Sequence, residues 1–290
     1  MLVPLTKPLS RVHDLVRPGH MLSEMPELAL IIEPDQDEQS FACVYVDGTA
    51  AGRAYRFILD TGAARTQLAT DEYTGSLAVV GADTSAGAFG GRTSDPLVTV
   101  TDLTAGPLRA ATLDVKRAAD GPNLLGMDVL GRHRCEFRLD AGVLVIDNPD
   151  GVEADHELLL GERGHPYVDV HWPGVTGRAV WDTGAGPTLV NRDFWLAHPK
   201  LFAQAGSTPG TDSKGTQIET QLLRMAAPVI GGREFDGHLA VAVDLSAANS
   251  TLSYPMDLII GYPTIRQADW LFDFPARRWG FLDHGPSGPA

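Results

Sequence analysis

Two aspartates carry the chemistry this sequence suggests: Asp60 in FILDTGAARTQL and Asp182 in AVWDTGAGPTLV. Each closes an apolar run and is followed by Thr, Gly and Ala. An ionised carboxylate set against an apolar strand is costly to desolvate, whereas one Asp-Thr-Gly alone is ordinary turn chemistry. Two such turns brought together would be different. Adjacent carboxyl groups cannot both ionise easily, so they share a proton. One can then draw a proton from water while the other supplies one to a carbonyl oxygen or a departing nitrogen. This is hydrolysis of an amide bond without metal or covalent intermediate.

The elements that must position these acids are repeated as well. At an offset of 122 residues, Tyr45, Val46, Asp47, Gly52 and Arg56 recur as Tyr167, Val168, Asp169, Gly174 and Arg178. Farther on, Leu124-Leu125-Gly126 answers Ile259-Ile260-Gly261, and CEFRLDAGVLVID answers WLFDFPARRWGFLD. Each copy therefore reads as a strand pair entering the turn, a variable middle, an apolar-apolar-Gly strand, a short turn or helix, and a final hairpin. The middles hold the hairpin candidates SAGAFGGRTSDPLV and GTDSKGTQIETQLL. Alternation in PLVTVTDL and HLAVAVDL predicts strands. NRDFWLAHP predicts a short helix capped by Asn191 and stopped by Pro199. ELALIIEPD predicts one strand that pairs across the two copies. The predicted organisation is an irregular segment 1–25, a first lobe 26–147, a linker 148–164 and a second lobe 165–284.

Within this scheme the hydroxyls of Thr61 and Thr183 bond to backbone across the axis and lock the turns together. Gly62 and Gly184 permit close approach and aim N–H groups at the carboxylates. Leu125-Gly126 and Ile260-Gly261 pass tightly beside the turns. Trp181 either shapes the second half of a cleft or packs under its turn.

Composition narrows the classes. With 290 residues, 43% of them hydrophobic, the chain can bury a sizeable core as one large domain or two modest ones. A formal charge of −14 argues against nucleic acid and anionic membrane surfaces as partners. Cys43 and Cys135, both in apolar runs, are expected as buried free thiols. MLVPLTKPLSRVHDLVRPGH shows no secretory apolar core and no run is long enough to span a bilayer, so a soluble, cytoplasmic protein is expected. No histidine stands at metal-ligand spacing from another His or Cys, and neither a G-x-S-x-G elbow nor a phosphate loop appears.

The motifs Leu59-Asp60-Thr61-Gly62-Ala63 with Leu124-Leu125-Gly126-Met127-Asp128-Val129-Leu130, and Trp181-Asp182-Thr183-Gly184-Ala185 with Ile259-Ile260-Gly261, resemble the retropepsin-like aspartic peptidases. The chain resembles two such units fused in tandem, pepsin-like in connectivity. The resemblance implies an all-β, bilobal acid-protease fold with a cleft between two pseudo-twofold-related lobes. It implies an aspartic endopeptidase with Asp60 and Asp182 as dyad, an extended peptide or protein substrate, no cofactor, and a monomer that is an internal pseudo-dimer. Ala63 and Ala185 stand where pepsin-like turns carry Ser or Thr; without that hydroxyl the shared proton is held more tightly, which predicts a pH optimum nearer neutral than pepsin's. Phe89-Gly90-Gly91 resembles a Gly-rich flap tip that would meet substrate, and Lys214-Gly215 a second one. Ala64 and Gly186 replace the Asp that often follows in the retroviral type, so a catalytically weak or inactive peptide-binding module of the same fold is the alternative.

Overall fold

The computed structural model describes residues 26–86, 92–211 and 217–282, almost entirely as β-structure with five short helices among them. Strands Ala42–Ala50 and Arg53–Leu59 form the antiparallel pair that enters the first turn, and Pro166–Trp172 with Val175–Trp181 form the second. The repeat offset holds in the ladder itself: Tyr45 pairs with Ile58, and Tyr167 with Val180. Both hairpins turn through a glycine at φ +75°, Gly52 and Gly174, a left-handed conformation that glycine adopts without a Cβ penalty.

Each copy builds its own sheet. The first has eight strands and curls until Thr49 meets Thr104, while the second has ten. A third, six-stranded sheet joins them. Its centre is Arg134–Arg138 paired antiparallel with Trp270–Asp273, so that Phe137 faces Trp270 and Cys135 faces Phe272. The final hairpins of the two copies thus pair with each other instead of closing their own lobes. An aromatic layer fills this junction: Trp181 lies 4.8 Å from the Phe137 ring and 4.4 Å from that of Phe272, fully buried. Trp181 therefore packs beneath its turn and does not line a cleft.

Several expectations are corrected. The segment read as one strand over 27–35 is two, Glu27–Ala29 and Ile31–Pro34. The first joins the shared sheet but pairs with Val143–Ile146 of its own copy, and the second pairs with Ala42–Ala50. The linker carries strands too: His156–Glu157 edges the shared sheet and Leu159–Leu160 pairs with the second copy. The helix is Arg192–Ala197, but the Asn191 side chain does not cap it; its Oδ1 accepts the Leu245 N–H instead. Cys135 is buried and free, whereas Cys43 is free and only half-buried. Phe89, Gly90, Gly91, Lys214, Gly215 and segment 1–25 lie outside the described residues. The hairpin arms around the two tips are described: Val79–Ala86 with Arg92–Ala105, and Phe202–Thr211 with Gln217–Met225.

Candidate functional site

Each turn hangs from a parallel strand pair. Leu59 is in register with Leu125, and Trp181 with Ile260. The Asp60 N–H donates to the Leu125 carbonyl at 3.0 Å, and the Asp182 N–H to the Ile260 carbonyl at 3.0 Å. Met127 N–H closes the first loop onto the Ala63 carbonyl at 2.8 Å, and Tyr262 N–H closes the second onto Ala185 at 3.0 Å. Gly126 passes so tightly that a Cβ there would stand 2.7 Å from the Arg65 carbonyl carbon; one at Gly261 would collide with Pro187. The apolar-apolar-Gly strands therefore require their glycines on steric grounds.

Across the axis the turns interlock. Thr61 Oγ1 donates to the Trp181 carbonyl at 2.8 Å and Thr183 Oγ1 to the Leu59 carbonyl at 2.6 Å. Each hydroxyl also accepts the other threonine's N–H, at 3.2 and 3.1 Å. Both threonines are buried, so four hydrogen bonds fix the relative position of the lobes in a site that water cannot compete for.

This lock brings the Asp60 and Asp182 carboxyls together across the axis, each lying against the other turn's glycine. A Cβ at Gly62 would overlap the Asp182 carboxylate, and one at Gly184 the Asp60 carboxylate. The pair is not electrically symmetric. Asp182 Oδ1 accepts N–H groups from Gly184 at 2.8 Å and from Gly62 at 3.1 Å. Burial raises the Asp182 pKa, and those N–H groups pull against it. Asp60, 8% exposed, is pushed well above the usual carboxylate range, first by burial and then by the Asp182 charge. With both carboxyls raised by burial and set against each other, the pair holds a proton in common, and the two N–H groups favour charge on the Asp182 side.

Beneath the turns the copies differ, and here sequence reasoning missed two polar groups. Under the first turn, Asp128 accepts the Thr66 N–H at 2.9 Å and its hydroxyl at 2.7 Å, while Thr66 Oγ1 accepts the Gly126 N–H at 3.1 Å. Under the second, Thr188 accepts the Gly261 N–H at 3.2 Å, but the group beneath is neutral: His238 Nε2 lies 3.0 Å from Thr264 Oγ1 and 3.3 Å from Thr188 Oγ1. Burial lowers the His238 pKa and raises that of Asp128. Asp128 was visible two residues beyond Gly126; His238 has no local signal, since it arrives from a distant strand end. Ala63 and Ala185 serve through their backbones as the loop-closing acceptors described above. Among the described residues no cluster of His, Cys, Asp or Glu could hold a metal ion.

No protein-family model matches the chain, and no curated protein sequence does. Solved structures do match. One is the crystal structure of Basic 7S globulin from soybean, which covers 89% of this chain and 95% of its own at a TM-score of 0.55 and 10% identity. At that identity the likeness concerns the fold, which is the bilobal acid-protease fold.

Proposed function

We propose that this protein is an aspartic endopeptidase. The observation that carries the reading is the buried Asp60–Asp182 contact, locked by the reciprocal Thr61 and Thr183 bonds, with both carboxyls raised in proton affinity by burial. Asp182, held by two N–H groups, acts as the base toward a water placed between the carboxyls. Asp60 gives its proton to the carbonyl oxygen of an extended peptide, and the pair returns a proton to the departing nitrogen. Its raised proton affinity, in turns that carry Ala63 and Ala185, supports activity toward neutral pH. Incubating the full chain with a mixed peptide library across pH, beside Asp60→Asn, tests this. Cleavage by the wild type that is abolished in the variant, with peptide binding retained, is expected; no cleavage at any pH sinks the proposal.

A second reading, a peptide-binding module without catalysis, is favoured by Ala64 and Gly186 and by the similarity to a protein named as a globulin rather than as a peptidase. It predicts peptide binding that Asp60→Asn leaves unchanged and no hydrolysis by either form.

A further inference from the structure

The hairpins of the two lobes are held by opposite chemistries, the first on its outgoing strand and the second on its returning one. In the first lobe, Asp83 on strand Val79–Ala86 sits between two cations. Lys116 Nζ lies 3.1 Å from it, and Arg163 contacts both its carboxylate oxygens at 3.0 and 3.1 Å. Arg163 also donates to the Thr84 carbonyl at 2.9 Å. Arg163 Nη2 meets both carboxylate oxygens while Nη1 holds the Thr84 carbonyl, so the planar guanidinium grips side chain and backbone at once in a fixed geometry that a lysine cannot reproduce. Arg163 comes from the segment between the two copies. Next to it Glu162 accepts the Ser253 hydroxyl at 2.6 Å, so this short segment bridges a first-lobe hairpin and a second-lobe loop. Two residues on, His165 rests against the backbone of Gly62, within the field of both Arg163 and Lys116. The bridge therefore reaches the dyad turn.

The repeat offset places Phe41 where Arg163 stands. The sheet register places Val241 where Lys116 stands, because Gln67 pairs with Lys116 and its equivalent Leu189 pairs with Val241. Phe41 and Val241 belong to one apolar cluster, against which Leu222 of the second hairpin arm packs. An ion-paired fastening in one lobe thus corresponds to an apolar one in the other.

We infer that Arg163 is a positioning residue that fastens the first hairpin arm beside the dyad turn by an ionic contact, while the second arm is held independently by apolar burial around Phe41. Resting on the peptidase reading, this makes the first arm the adjustable wall for an extended peptide. Loss of Arg163 weakens peptide capture more than the chemical step.

Hydrogen exchange followed by mass spectrometry on the full chain tests the fastening without any need for activity. Arg163→Ala is expected to speed exchange in 79–86 by at least threefold and to leave 217–225 unchanged, with Arg163→Lys between wild type and Arg163→Ala. Phe41→Leu is expected to show the reverse pattern. Unchanged exchange in 79–86 on losing Arg163, or equal acceleration in both arms, overturns the inference. If the wild type cleaves peptides, Arg163→Ala should raise KM about three- to tenfold with kcat within twofold; an equal fall in kcat with KM unchanged overturns the positioning role. If the wild type cleaves nothing, the peptidase reading fails while the exchange result still decides the fastening.

Discussion

The two lobes agree in backbone and differ in side chains. Around the dyad they repeat almost bond for bond: the same parallel strand pairs, the same N–H to carbonyl closures and reciprocal threonines. One layer away they diverge, with Asp128 under one turn and the His238 imidazole under the other. At the hairpins they diverge again, with ions in one lobe and apolar side chains in the other. The repeated part is where atoms have no room to vary, as at Gly126 and Gly261. Elsewhere any group that satisfies the buried partners will serve, and the lobes have separate solutions.

The sharpest way to break this comparison is through the dyad. If the halves contribute equally to one reaction, Asp60→Asn and Asp182→Asn should each lower kcat by about 10²–10⁴, the range of lost acid–base catalysis. A variant that keeps near-full activity would show that the contact is not the reacting centre.

Next in size is the threonine lock. Thr61→Val and Thr183→Val each leave buried backbone groups unpaired, at about 1–3 kcal/mol each. Urea unfolding should show the two losses to be similar, and their double-mutant cycle non-additive because they share partners. A large inequality would mean that the axis is held from one side.

Acid should then separate the lobes. Burial pulls His165 from its usual 6.5 down to about 4, with the Arg163 charge next in weight, and lowers His238 as well. Both stay neutral in the fold while the unfolded chain takes up protons. Their contribution is complete above pH 6.5 and is lost as pH falls through the folded values. The slope is at most about 1.4 kcal/mol per pH unit for each proton. Asp60 works in the opposite sense. Its folded-state affinity for a proton is raised, so its penalty is greatest at neutral pH and is relieved on acidification. Asp182 and Asp128, raised by burial as well, act in the same sense as Asp60. The histidine share is read by difference: between pH 7 and 4, melting curves of His238→Gln should lose less stability, or gain more, than those of the wild type.

The smallest effect is a gain. Asp60→Asn removes a buried acid that neutral pH strains, and should raise Tm by about 2–4 °C, the equivalent of roughly 1 kcal/mol in a domain of this size. A lower Tm would mean that the shared proton stabilises the lock more than the charge opposes it.

Much of the dyad was legible because a turn this crowded permits few residues: Asp, Thr and Gly recur at one offset, and geometry leaves no substitute. The all-β class followed from alternation and turn residues for similar reasons. The shared sheet was not legible, since CEFRLD and WLFDFP announce strands without naming their partners. Arg163 sits in a charged, glycine-rich stretch, where any reading of composition gives solvated linker. Asn191 has the right residue type for a cap, but the Leu245 N–H competes for its oxygen. Trp181 abuts the acid in sequence and faces away from it in space, as alternation along a strand requires.

The pairing of Arg134–Arg138 with Trp270–Asp273 also governs how the chain is made. During synthesis the first half must wait with one β-edge unclaimed while nearly half the polypeptide is still to be added, on the order of ten seconds at about 5–20 residues per second. An unclaimed edge beside Phe137 is a template for a stranger's strand. A ribosome stalled between the copies would release an adhesive half-molecule, and the last strands to emerge are the ones that make the product safe.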